Sequence, residues 1–148
     1  MSNASTKPAL DPLGSEVNFT ANLEDNSNFS AVMTTLKGST TPKRGEVWIV
    51  VATEWKNNRP RTFTIIFSKD IKEETDAVIT VDDAHVNLLY NNYDDPDAPT
   101  LQRARSGKIT YQVGPGMCFS GSFEAQIDRA QGGGTYLCTG NFDTALSW

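Results

Sequence analysis

The residues that could do chemistry in this sequence are concentrated in residues 90–97, where aromatic rings stand next to hard oxygen ligands. The segment reads Tyr-Asn-Asn-Tyr-Asp-Asp-Pro-Asp. Carboxylate and amide oxygens clustered on a loop suit Ca²⁺, which takes about six to eight oxygen ligands. Asp94, Asp95 and Asp97 are therefore calcium candidates, although the segment lacks the central glycine and the closing glutamate of an EF-hand loop.

The same segment also suits sugar recognition, because a tyrosine ring can stack on a pyranose face while amides bond the hydroxyls. Trp55 joins this set, since Trp48 and Trp55 are an odd number of residues apart and face opposite sides of an unbulged strand. At least one of them is expected at the surface, where tryptophan often anchors a partner. The predicted ligand-binding residues are Tyr90, Asn91, Asn92, Tyr93, Asp94, Asp95, Asp97 and Trp55. The alternative interpretation is a solvated acidic loop.

Catalytic and zinc signatures are sparse. The single histidine and the two cysteines, which we place on different faces, cannot readily form a tetrahedral zinc site. The single histidine, His85, is interpreted as structural, since no Gly-x-Ser-x-Gly motif accompanies it. An enzyme would instead use carboxylates such as Asp82, Asp94 or Asp95 as general acid and base. We predict no catalytic residue, and no cofactor other than the candidate calcium ion.

The charge balance argues against nucleic acid as a partner. The 148 residues include 18 acidic and 13 basic ones, for a formal charge of −5, and the short basic clusters are not interleaved with aromatic residues. No run of apolar residues reaches the length of a membrane span, so we expect a soluble protein. The sequence does not indicate its localisation. Residues 1–14 lack the basic and apolar regions of a secretory signal and are predicted to be a loose arm.

Period-two alternation of apolar and polar residues dominates the rest of the chain and indicates half-buried strands. Residues 117–127 alternate most regularly, and glycine-rich turns flank them. Residues 68–76 are the best helix candidate. About eight or nine strands with little helix predict a single antiparallel β-sandwich or barrel over residues 15–148. The seven phenylalanines fall on apolar faces and are expected in the core.

Residues 47–52 form a run that is apolar on both faces. Such a run suits a central strand covered on both sides. It also suits a surface between subunits, so a homo-oligomer is the alternative.

The last hairpin has a predictable register, because partners in an antiparallel pair share a face. Pairing Ile127 with Tyr136 places Cys138 opposite Ala125, seven residues from Cys118 and on the other face. At about 3.3 Å per residue the two cysteines are roughly 23 Å apart, beyond disulfide reach. We therefore predict two free thiols.

Together these patterns favour a non-enzymatic recognition module that binds a glycan, a cell-surface component or a protein partner through loops at one end. A self-assembling structural or toxin-like β protein is the first alternative, and a carboxylate-dependent enzyme is the second.

Overall fold

The computed structural model describes residues 17–24, 27–82, 86–93, 97 and 99–147. The predicted arm, residues 1–14, lies outside these residues, as do His85, Asp94 and Asp95. The described residues form ten strands: β1 Phe19–Asn22, β2 Asn28–Ser30, β3 Met33–Thr41, β4 Gly45–Lys56, β5 Arg59–Ser68, β6 Glu73–Val78, β7 Asn87–Asn92, β8 Thr100–Gly114, β9 Cys118–Asp128 and β10 Thr135–Ala145.

All the strand pairs are antiparallel and form one curled sheet, a half-barrel, which confirms the predicted all-β class. The strand order is β2-β1-β10-β9-β8-β7-β5-β4-β3, and β6 pairs with β8 beside this path. The helix expected in residues 68–76 is wrong, because β6 begins at Glu73 and pairs there with Gln112 of β8. Among the described residues no helix is long and apolar enough to cross a membrane.

Strand β8 divides the sheet into two halves. Its first residues pair with β7, and together with β5, β4 and β3 they form what we name the β4 half. From Ala104 onward β8 pairs with β9, and with β10, β1, β2 and β6 it forms the β10 half. The change of partner coincides with a bulge between Ala104 and Ser106, which bends the strand.

The two halves also meet where β3, the edge strand of the β4 half, contacts the segment after β10. Thr35 forms a parallel bridge with Ser147. The amide of Leu36 donates to the Ser147 carbonyl at 2.8 Å, and the Ser147 amide donates to the Thr34 carbonyl at 3.1 Å. These bonds draw the two edges together around one interior.

Aromatic rings fill that interior. All seven phenylalanines are buried, as predicted, and they touch one another in a continuous chain. The rings of Phe119 and Phe142 stack with centroids 4.5 Å apart, and those of Phe29 and Phe63 meet edge to face at 4.9 Å. Such pairs contribute about 0.5–1.5 kcal/mol each beyond the burial of their surface.

The predicted hairpin register is confirmed. Tyr136 pairs with Ile127, and Cys138 pairs with Ala125. Cys138 therefore points into the core while Cys118 is exposed, and both thiols are free.

The two-faced run in β4 lies between β3 and β5, so it is a central strand as predicted. Val50 and Ala52 face the core and are fully buried. On the opposite, outer face Val47 is fully buried, while Ile49 and Val51 are half-buried.

Candidate functional site

The predicted ligand-binding residues that the structure describes gather at one end of the half-barrel, which we name the loop end. Four connections meet there, because antiparallel pairing places every second turn at the same end. They are the links between β1 and β2, β4 and β5, β7 and β8, and β9 and β10.

Trp55 and Tyr93 share a row on the outer surface of the loop end. Trp55 pairs with Pro60, and the Tyr93 amide donates to the Pro60 carbonyl at 3.3 Å. The Trp55 side chain is 54% exposed, whereas Tyr93 is half-buried. With strands about 4.8 Å apart, the backbones of Trp55 and Tyr93 lie roughly 10 Å from each other.

The next row on the same face supplies hydrogen-bonding groups. It runs from Thr53 through Thr62 and Asn91 to Leu101. Thr62 and Asn91 are both half-buried, so their hydroxyl and carboxamide border the aromatic row. The structure thus brings together three of the predicted residues, Trp55, Asn91 and Tyr93.

Tyr90 and Asn92 do not belong to that outer surface, which corrects the prediction of one continuous binding loop. Strand β7 continues to Asn92, so its side chains alternate between the two faces. Tyr90 is 3% exposed, with its ring centroid 4.8 Å from that of Phe63. Asn92 lines the interior side of the loop end.

The calcium prediction is not tested by the structure. Asp94 and Asp95 lie outside the described residues, and Asp97 is exposed. Elsewhere in the described ranges no group of three His, Cys, Asp or Glu side chains could hold a metal ion.

The inner side of the loop end contains a polar cavity of about 110 Å³. Its polar lining consists of Glu24, Ser27, Arg61, Tyr90, Asn92, Gln102 and Tyr136. A guanidinium, two phenols and two carboxamides therefore face a small space beneath the aromatic row.

Arg61 is the central charge of this cavity. It is 8% exposed, and its Nη1 lies 3.8 Å from Oε1 of Glu54 on the neighbouring strand. Oε2 of Glu54 accepts a hydrogen bond from the Ser30 amide at 2.9 Å, which holds this carboxylate in place. A buried charge is tolerated when it is paired in this way.

Neighbouring bonds hold the other walls. Nε2 of Gln102 donates to the Asp128 carbonyl at 2.8 Å. Arg129 forms an ion pair with Glu24. Burial raises the pKa of Tyr136 well above its usual range, and the nearby Cys138 adds to the rise, so this phenol keeps its proton and stays a hydrogen-bond donor.

Sequence reasoning missed Arg61, Gln102 and Glu54, although the pattern contains a signal for each. Arg61 is in phase with Phe63 along β5, and Gln102 and Glu54 are likewise in phase with the apolar side of their strands. A charged or amide residue at an inward position near the end of a strand predicts that this end of the barrel is polar.

Of the carboxylates named for an enzyme, Asp82, Asp94 and Asp95, the structure describes Asp82 alone, so their arrangement is not tested. Asp82 lies beside the first residue of β7, where its carbonyl accepts from Nδ2 of Asn87 at 2.8 Å. Comparisons with protein-family models, with curated proteins and with solved structures find nothing that matches this chain.

Proposed function

We propose that this protein is a non-enzymatic recognition module that binds a glycan at the loop end. The observation that carries the proposal is the exposed indole of Trp55 in one row with Pro60 and Tyr93. A large aromatic face left in water gains free energy when an apolar sugar face covers it.

The polar surroundings support a hydroxylated ligand. Thr62 and Asn91 offer a hydroxyl and a carboxamide beside the ring row, and these groups donate and accept hydrogen bonds at once. Sugar hydroxyls need such paired groups, since a polar group buried without a partner costs about 1–3 kcal/mol.

The carboxylates near the cavity support binding over acid–base chemistry. Glu24 is paired with Arg129, and Glu54 with Arg61. A general acid or base must lie within hydrogen-bond reach of the substrate proton that it transfers, and a carboxylate already held by a guanidinium of the protein is less available for that contact.

A glycan array probed with the full chain tests this proposal. We expect a defined set of glycans to bind, and Trp55→Ala to weaken binding about 30-fold, as for a tryptophan anchor worth about 2 kcal/mol. Leu137→Ala is the matched control, because Leu137 is equally exposed (55%) on the β10 half. An array without any bound glycan, or equal binding by the Trp55→Ala variant, would overturn the proposal.

Self-assembly is the second candidate, supported by the outer face of the β4 half. Ile49 and Val51 of β4 lie there beside Ile66 of β5, and Met33 and Leu101 are exposed at its margins. Exposed apolar groups on one face often mark contacts between subunits. Sedimentation over a hundredfold range of concentration tests this candidate, and a monomer throughout would contradict it.

A further inference from the structure

An apolar pocket opens on the outer face of the β4 half, where β7 and β8 separate. Four residue pairs join these strands, from Leu89 with Arg103 to Asn92 with Thr100. Beyond Leu89 the bulge in β8 turns that strand toward β9 and β6, so a gap forms between the two halves of the sheet.

The gap contains a pocket of about 240 Å³, which is slightly smaller than the pockets that hold drug-sized ligands. Five apolar side chains line it: Ile66, Val81, Leu88, Leu89 and Ala104. Val81 is 46% exposed on the loop before β7, so one wall is an apolar side chain that a ligand would cover.

Among the lining residues that the structure describes, Arg103 is the one cation and none is acidic. At the other end of the pocket, the side chain of Asn87 already has its hydrogen-bond partners within the protein. It accepts from Nη1 of Arg44 at 2.6 Å and donates to the carbonyls of Thr80 and Asp82 at 2.8 Å. A ligand's polar group would therefore meet Arg103 at the Leu89 end.

Asp128 interacts with Arg103 but does not cancel its charge. Asp128 already accepts three hydrogen bonds from Arg105: from Nε to Oδ1 at 3.0 Å and to Oδ2 at 3.1 Å, and from Nη2 to Oδ2 at 2.8 Å. Arg105 and, to a smaller extent, Arg103 hold the pKa of Asp128 below its usual range. Two guanidinium groups thus share one carboxylate, which leaves an excess of positive charge at the pocket rim.

The surrounding face has the same sign. The outward positions of β3, β4, β5 and β7 include Lys37 but no Asp or Glu in the part of the chain that the structure describes. Asp82, which follows Val81 in the chain, lies by the Asn87 end of the pocket, away from Arg103. In a chain with a formal charge of −5, a face free of carboxylates favours an anionic occupant.

We propose that this pocket binds a small apolar acid, with its hydrocarbon between Leu89 and Val81 and its carboxylate on Arg103. Burial of the chain supplies most of the binding free energy, and the guanidinium selects the acid through charge-assisted hydrogen bonds. The site is separate from the loop-end row and does not depend on the glycan proposal.

Isothermal titration calorimetry of the full chain with octanoate and with octan-1-ol tests the proposal. We expect octanoate to bind about tenfold or more tightly than the alcohol. In NMR spectra of the same titration, the amide chemical shifts of Leu89 and Arg103 should change. Arg103→Gln should remove that preference and leave the binding of octan-1-ol unchanged. Lys37→Gln is the matched control on the same face and should leave both ligands unaffected.

Val81→Asp gives a second, independent arm. Val81 is about half exposed, so the variant should fold with an unchanged melting temperature. Its carboxylate should repel octanoate and make the pocket less apolar. Absence of octanoate binding at millimolar concentration, or wild-type binding by both variants, would overturn the proposal. So would a stable dimer that Val81→Asp dissociates, since a second copy would then occupy this face.

Discussion

At the scale of single residues, the close approach of β8 and β9 depends on Gly121. This residue has φ +152°, and a Cβ at its position would lie 1.9 Å from the carbonyl oxygen of Thr110. An L-amino acid therefore meets both an unfavourable backbone conformation and a blocked space. Gly116 also has a positive φ, +71°, but nothing lies within 4 Å of its added Cβ.

The two glycines give a matched prediction. Gly121→Ala should lower the free energy of unfolding by about 3 kcal/mol or more, since strain and collision act together. Gly116→Ala should cost about 1 kcal/mol, because the left-handed conformation alone is affected. Urea unfolding followed by circular dichroism measures both, and equal losses would contradict the role of the close backbone contact.

At the scale of elements, a relay of hydroxyls ties β3 to β10 across the closure of the half-barrel. Thr34 Oγ1 donates to the Ala145 carbonyl at 2.8 Å. Since a hydroxyl has one proton, the 2.8 Å contact between Thr34 and Thr144 has Thr144 as donor. The Asn18 amide in turn donates to Thr144 at 3.2 Å, so one chain of bonds joins three segments.

Replacing Thr34 with valine should therefore weaken the closure. We expect a loss of about 1–3 kcal/mol, because the Ala145 carbonyl and the Thr144 hydroxyl lose a buried partner. Hydrogen exchange should accelerate most at the amides of Leu36 and Ser147, which bridge the same edges. Thr35→Val is the control, since that side chain lies on the outer face; equal effects of the two variants would refute the relay.

At the scale of the whole molecule, buried ionisable groups should make the protein less stable at alkaline pH. Burial and the charge of Glu74 raise the pKa of Tyr111 to about 12, and burial raises the pKa of Cys138 to about 12. Both groups are neutral in the folded state. In the unfolded chain they ionise at their ordinary values of 10.0 and 9.0. Their contribution is complete below pH 9 and is lost as pH rises from 9 to 12.

The free energy of unfolding should accordingly fall with increasing slope above pH 9. The free energy of unfolding of the Tyr111→Phe variant should fall less steeply between pH 10 and 12, because one fewer proton is released when this variant unfolds. Urea titrations at half-unit intervals of pH measure these slopes. Parallel curves for the two proteins over that range would show that Tyr111 does not contribute to the alkaline loss.

Much of the fold was predictable because period-two alternation is a local property of the backbone. This alternation placed the seven phenylalanines in the core and put Cys118 and Cys138 on opposite faces. It also predicted that Ile127 pairs with Tyr136. It also placed Trp48 and Trp55 on opposite faces, so an exposed tryptophan could be named in advance.

The sheet order and the two candidate sites were decided by the tertiary structure. Which strands lie side by side depends on packing over the whole sheet, so β6 joins β8 while β5 pairs with β7. The same long-range pairing extends β7 through the asparagines to Asn92, which turns Tyr90 inward and away from Trp55 and Tyr93. Alternation thus determined which residues share a face within each strand. The bulge in β8 and the closure at Ser147, which bring distant strands together, determined which of those faces meet to form a site.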